Sequence, residues 1–272
     1  MRLLRLQIIN AVNKQRNIKL VIAYQGTRYK GWQRQPDVMT VQETVELALQ
    51  QILARPVQIR GASRTDAGVH AQGQVANFIV ENCPIPTHAF ADILNGKLPD
   101  DIAVRSSVDV PLEFHASRDA LHKTYHYRIF NSGLKDVMYH NLRWQVSHKL
   151  DNDAINQAVS FLIGTHDFKG FTSAKDDRDD AVRTIYQAQA WWSDNSELIF
   201  MIRANRFLYL MVRNIVGTLV EVGRGHWPPE KVAEILVRRD RTLAGPTAPP
   251  QGLCLMSIEY AKNLTSTLDT ET

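Results

Sequence analysis

Two residues of opposite charge stand out for the company they keep. Arg213 lies in the middle of the segment 206–222, where Phe207, Leu208, Leu210, Met211, Val212, Ile215, Val216, Leu219, Val220 and Val222 are apolar on nearly every side, the pattern of a buried helix. An unpaired guanidinium there would cost on the order of several kcal/mol. A carboxylate should therefore meet it, the alternative being a side chain that reaches the surface. By topology the nearest candidate is Asp66, in the loop Arg64-Thr65-Asp66-Ala67-Gly68-Val69-His70-Ala71 at the end of a predicted central strand of the other half. Taken alone, an aspartate near a glycine is a turn former. Beside a buried cation its part would be to supply the opposing charge.

Other chemistries fail on residue type. Gly26 and Gly31 have the spacing of a phosphate-binding loop, but Trp32 and Gln33 stand where Lys and Ser or Thr are needed. Gly223-x-Gly225 runs into Trp227 and Pro228 instead of opening a helix, so there is no dinucleotide fingerprint. None of the nine histidines begins H-x-E or H-E-x-x-H, and P-C-x-x-C is absent, which argues against zinc deaminase and zinc protease chemistry. His166 and Asp167 are neighbours whose side chains would leave an extended chain on opposite faces. A metal is not needed.

The elements that must bring Asp66 to Arg213 belong to a folded chain. Its 272 residues are 44% hydrophobic and 22% charged, enough for two ordinary domains and unlike a disordered, collagenous or coiled-coil protein. Cys83 and Cys254 stand apart, giving neither a disulfide framework nor a thiolate cage and fitting a reducing, cytoplasmic setting. No run approaches the roughly 18 apolar residues of a membrane helix. The net charge of +4 is mild, but residues 1–36 hold eight basic residues and no acidic one, an attraction for a polyanion.

Residues 1–16 read as a short extension, and 17–115 as a first α/β half. Asn17–Tyr24 is a strand, and Thr40 with Glu43 makes a capping box for a helix that ends near Pro56. Strands over Val57–Ala62 and Gly73–Val80 flank the Asp66 loop, a helix runs from Thr87 to Leu98, and Ile102–Val110 is a strand. The second half, 116–261, has strands at Leu121–Phe130, Arg183–Trp192, Glu197–Ala204 and Leu253–Tyr260. Its helices run from Asp151 or Asn152 to Ile163, over 206–222, and from Pro229 to Arg238. Both halves read β-α-β-β-α-β, the second with one extra helix, the order of ferredoxin-like and RNA-recognition folds. The expected class is α/β (α+β): two such halves whose antiparallel sheets join into a central mixed sheet, with helices packed on it and a cleft between the halves. Residues 262–272 form a polar, frayed tail.

At this point the chain resembles the tRNA pseudouridine synthase A family. The Asp66 loop is similar to that family's catalytic loop. Tyr24-x-Gly26-Thr27-x-Tyr29-x-Gly31-Trp32-Gln33, Thr40-Val41-Gln42, Phe114-His115-Ala116, Lys123-x-Tyr125-x-Tyr127, Gly164-x-His166-Asp167-Phe168, Met211-Val212-Arg213-Asn214-x-x-Gly217 and Thr247-Ala248-Pro249 before Gly252-Leu253 follow in the family's order. The resemblance implies the pseudouridine synthase fold, and isomerisation of uridine to pseudouridine at positions 38, 39 or 40 of the tRNA anticodon arm by a homodimer without cofactor or metal. It implies Asp66 as the catalytic carboxylate, Arg213 as the cation opposing its charge, and Tyr125 as a ring stacked on the target base, with Leu253 on the other side. Arg64 would fill the gap left by a flipped base. Phe114, Arg118 and Tyr127 are the further substrate-side residues it implies. Core packing is the rival account of Tyr125 and Tyr127, which share a strand face with Leu121.

The chain departs from the family in two places. Ser63 stands where glycine is usual before R-T-D, and Ser117 where arginine is more frequent, with Arg118 one position displaced and so facing the other side of an extended chain. Two other functions stay open. A non-catalytic RNA-binding protein would show the stacking aromatics that Gly73–Phe78 lacks, and a ribonuclease or glycosidase would need a second catalytic carboxylate. The acidic run Asp176-Asp177-Arg178-Asp179-Asp180 reads as a solvated loop.

Overall fold

The computed structural model describes residues 15–173, 180–193 and 196–264. Residues 1–14, most of the acidic run and the tail beyond Leu264 lie outside the described residues. The first half contains β1 (Gln15–Tyr24), α1 (Val41–Leu53), β2 (Arg60–Gly61), β3 (His70–Glu81), α2 (Ala89–Asn95) and β4 (Ile102–Val110). In β1 the alternate residues Ile18, Leu20, Ile22 and Tyr24 are buried, the period of a strand with one face on a core. Gln15 and Arg16 belong to this strand and not to an extension: the Arg16 guanidinium donates to the carbonyls of Cys83 and Ile85 at 2.9 and 2.8 Å and to Thr87 Oγ1 at 2.8 Å. At α1 the Thr40 hydroxyl accepts from the Glu43 amide at 3.4 Å, as the capping box requires. The predicted helix from Thr87 is shorter, because Thr87 donates its hydroxyl to Asp109 at 2.7 Å instead of capping. Of the predicted strand 57–62 only Arg60 and Gly61 pair, against Asn77 and Ala76.

The second half contains β5 (Ala120–Asn131), β6 (Trp144–Val146), α3 (Asn152–Ser160), β7 (Gly164–Asp167), β8 (Val182–Trp192), β9 (Glu197–Ala204), α4 (Met211–Gly223), α5 (Lys231–Arg238) and β10 (Leu253–Tyr260). Asp151 caps α3 by accepting from the amides of Asp153 and Ala154. The strands β6 and β7 have no counterpart in the sequence pattern, since three or four residues are too few for a periodicity to register. The helix read over 206–222 begins only at Met211. Leu210 holds a left-handed conformation at φ 61, and the Tyr209 carbonyl accepts from the Ser173 amide and the Thr172 hydroxyl, drawing the segment out of the helix. Arg213 therefore sits in the first turn of α4, not at its middle.

Neighbouring strands run β4-β1-β3-β10-β5-β9-β8-β7, with β2 on β3 and β6 on β5, a ten-stranded mixed sheet among the described residues. Each half sets its last strand beside its first, β4 beside β1 and β10 beside β5, and then continues backwards along the chain, from β3 to β2 in the first half and from β9 to β8 and β7 in the second. The halves join where β10 lies parallel to β3, Cys254 opposite His70 and Leu255 opposite Ala71. The architecture is the expected α+β one. On one side α2 packs on β4 while α3 packs on β8 and α4, over an apolar core shared by both halves. Val75, one residue from Ala76 of that core and so on the opposite face, joins Ala62, Val110, Phe114 and Ala116 in a smaller cluster. No helix among the described residues is long and apolar enough to cross a membrane.

Candidate active site

A cleft of about 1320 Å³ opens between the halves, with Asp66, Arg64 and Ser63 on one wall and Tyr125, Phe207, Arg213 and Leu253 on the other. Asp66 is carried by the turn that leads into β3. That turn is bedded on the segment after β1: the Trp32 amide donates to the Thr65 carbonyl at 3.1 Å, the Gly68 amide to the Tyr29 carbonyl at 3.3 Å, and the Tyr24 and Thr65 hydroxyls share a bond of 2.8 Å. The approach is backbone to backbone. A Cβ on Gly31, which sits at φ 93, would meet the Thr65 oxygen at 2.6 Å, so only glycine serves there.

Across the cleft, Arg213 Nη1 donates to Asp66 Oδ2 at 3.0 Å, and its Nε donates to the Ala248 carbonyl at 2.7 Å. The two side chains are 14% and 24% exposed, a half-buried pair in which each charge offsets the desolvation of the other. Because Arg213 lies in the first turn of α4, the positive end of that helix also faces the carboxylate's side of the cleft. The loop that supplies Ala248 is itself clamped to α4. Buried Asn214 accepts from Thr247 Oγ1 at 2.6 Å and Arg241 Nη2 at 3.1 Å, and Thr218 accepts from the Gly245 amide at 2.9 Å.

Tyr125, on β5, is buried and lines the cleft, with its ring edge-to-face on Phe207 at 5.0 Å. Burial, opposed by a hydrogen bond from Ser63 and reinforced by the charge of Asp66, pushes its hydroxyl up to about 12. Leu253 lines the same cleft from the start of β10. Arg64 is exposed on the rim, and no ion pair or hydrogen bond engages its guanidinium among the described residues.

Three predicted residues are not brought to the cleft. Phe114 is buried in the smaller cluster, its ring 5.0 Å from that of Tyr260. Tyr127 shares the face of Tyr125 but lies beneath the turn 250–252, fully buried, and donates its hydroxyl to the Pro249 carbonyl at 2.7 Å. Arg118 turns away to pair with Asp119 at 3.0 Å and to donate to the Glu113 carbonyl at 2.8 Å, leaving His115 and Ser117 as the cleft residues of that segment. Leu121, on the tyrosines' face, is 48% exposed, so core packing does not extend along the whole strand.

Lys123 and Ser63, present in the sequence only as a motif position and a departure from the family pattern, also line the cleft. Lys123 has no carboxylate partner among the described residues, and burial, with Arg206 second, pushes its ammonium down to about 8. An apolar alternation interrupted by lysine on an inward-facing position was the signal. His70, at the start of β3, accepts from the Gly26 amide on Nδ1 at 3.0 Å and donates from Nε2 to the Gln251 carbonyl at 3.1 Å, which fixes the neutral ring with its proton on Nε2.

Comparison with known proteins bears on this arrangement. Residues 20–118 and 158–261 match the family model described as tRNA pseudouridine synthase. The chain is 44% identical over 245 residues to tRNA pseudouridine synthase A of Acetivibrio thermocellus, and 42% identical over 245 residues to that of Clostridium acetobutylicum, in each case spanning 90% of this chain and all of the relative. A chain of the solved Cbf5-Nop10-Gar1 complex aligns at 10% identity and a TM-score of 0.35, over 87% of this chain and 57% of its own length, and the fold described above stands on this chain's topology alone. On its matched length and its identity to these relatives, the chain belongs to the tRNA pseudouridine synthase A family.

Proposed function

We propose that this chain isomerises uridine to pseudouridine in the anticodon arm of tRNA, at positions 38, 39 or 40, as a cytoplasmic homodimer. The observation that carries the reading is the 3.0 Å pair between Asp66 of the first half and Arg213 of the second, at a cleft large enough for a flipped nucleotide. Isomerisation breaks the bond from ribose C1′ to N1 of the uracil and makes one from C1′ to C5, and a proton leaves C5 and ends on N1. Nothing enters or leaves overall. Asp66, paired with Arg213, is the group that attacks or abstracts. Tyr125 stacks on one face of the uracil and Leu253 packs on the other, so the detached base turns without escaping. Taking the base out of the stem costs a few kcal/mol, and the unpartnered Arg64 on the rim occupies the space it leaves. Lys30, Arg34 and Arg60 along the same cleft offer the phosphate contacts from which affinity comes.

The test is incubation with an unmodified tRNA transcript, followed by nucleoside quantification. Pseudouridine confined to positions 38–40 is expected. Released uracil, cut strands, or tight binding with no modified nucleoside would overturn the reading, and sedimentation of the purified chain reports the dimer.

A further inference from the structure

Ser63 and Lys123 face the same cleft as Asp66 and have no part in the reaction as described so far. Lys123 Nζ donates to the Ala62 carbonyl at 2.8 Å and to Ser63 Oγ at 3.3 Å. Ser63 Oγ in turn lies 3.1 Å from the Tyr125 hydroxyl. Ser63 cannot drift from this place, because its amide donates to Gln74 Oε1 at 3.2 Å and its carbonyl accepts from Gln74 Nε2 at 2.6 Å, and Gln74 is wholly buried on β3.

Donor counting sets the direction of these bonds. An ammonium only donates, so the bond from Lys123 uses a lone pair of Ser63 Oγ and leaves the serine proton to be placed. The Tyr125 oxygen is the acceptor within reach among the described residues, and a buried hydroxyl proton left unplaced is costly. With its oxygen accepting from Ser63, Tyr125 has its own O–H free for the open side of the cleft.

We propose that Ser63 is a positioning residue that relays the charge of Lys123 to Tyr125 and so fixes the hydroxyl of the stacked ring as a donor past the edge of the base, toward the sugar–phosphate of the flipped nucleotide. The relay rests on the reading of the cleft as a pseudouridine synthase site and extends it. Arg206, from the segment after β9, acts on Lys123, while Asp66 and Cys254 act on Tyr125; all three oppose ionisation of the group they face.

The test compares Ser63→Ala, Ser63→Thr, Lys123→Met and the double variant Ser63→Ala/Lys123→Met with the unaltered chain on one tRNA transcript, with melting curves for each. Ser63→Ala should lower kcat about tenfold, the size of one hydrogen bond lost from the transition state, with KM for tRNA unchanged. Ser63→Thr, which keeps the hydroxyl, should recover most of the rate. The double variant should be no slower than Lys123→Met alone, because a broken relay cannot be broken twice. Unchanged kcat in a folded Ser63→Ala protein, or losses that multiply in the double variant, would overturn the relay. An unaltered chain that makes no pseudouridine would instead overturn the underlying function.

Discussion

At the scale of single residues, the pair formed by Asp66 and Arg213 separates chemistry from stability. Asp66 contributes a charge to the cleft but little packing, being a quarter exposed. Asp66→Ala should therefore abolish pseudouridine formation while largely sparing tRNA binding, measured by filter retention of labelled transcript. Turnover in that variant would remove Asp66 from the reaction. Arg213 does two things at once, opposing the carboxylate and tying the Ala248 carbonyl to α4. Its replacement by alanine leaves one anion half-buried without its counterion and one carbonyl without its donor. A loss of roughly 1–3 kcal/mol in unfolding free energy is expected together with lost activity, read from urea denaturation, and a variant with unaltered stability and turnover would place the guanidinium outside the site.

At the scale of elements, the legible and illegible parts of the sequence divide by range. The capping box at Thr40, the alternation in β1 and the need of Arg213 for a carboxylate are local or near-local signals, and each marks a feature the structure contains. The start of α4 is not such a signal, since nothing about leucine announces the left-handed turn at Leu210; it is imposed by contacts of the Tyr209 carbonyl with Thr172 and the Ser173 amide. Alternation likewise put Tyr125 and Tyr127 on one face without telling which of them the turn 250–252 would cover. The same long-range packing makes one helix substitution run against propensity. Alanine is favoured over glycine inside a helix by about 1 kcal/mol, yet a Cβ on Gly217 of α4 would stand 1.7 Å from the Pro246 carbonyl oxygen. Gly217→Ala must push away the loop that holds Arg213 through Ala248, so it should lower the melting temperature and cut kcat together. An alanine variant more stable than the original would show that this loop yields freely.

At the scale of the whole molecule, the two halves meet through few backbone pairs, only Cys254 with His70 and Leu255 with Ala71 in register between β3 and β10. His70 reinforces that seam from within, since its ring accepts from Gly26 of the first half and donates to Gln251 of the second. Only a neutral ring can do both, because a proton on Nδ1 would confront the Gly26 amide, itself a donor. Burial holds the imidazole below its ordinary 6.5, against the backbone hydrogen bonds that act the other way. The sign follows from linkage. Above pH 6.5 the ring is neutral in both folded and unfolded chains and contributes no pH dependence. As the pH falls below 6.5 the unfolded chain takes up a proton that the folded chain still refuses, so stability drops until the folded-state value is passed, by at most about 1.4 kcal/mol per pH unit. Urea unfolding followed downward from pH 7 should show this loss in the unaltered chain and a smaller one in His70→Gln, whose side chain does not titrate. Equal acid slopes in the two proteins would mean that the seam does not depend on a neutral ring.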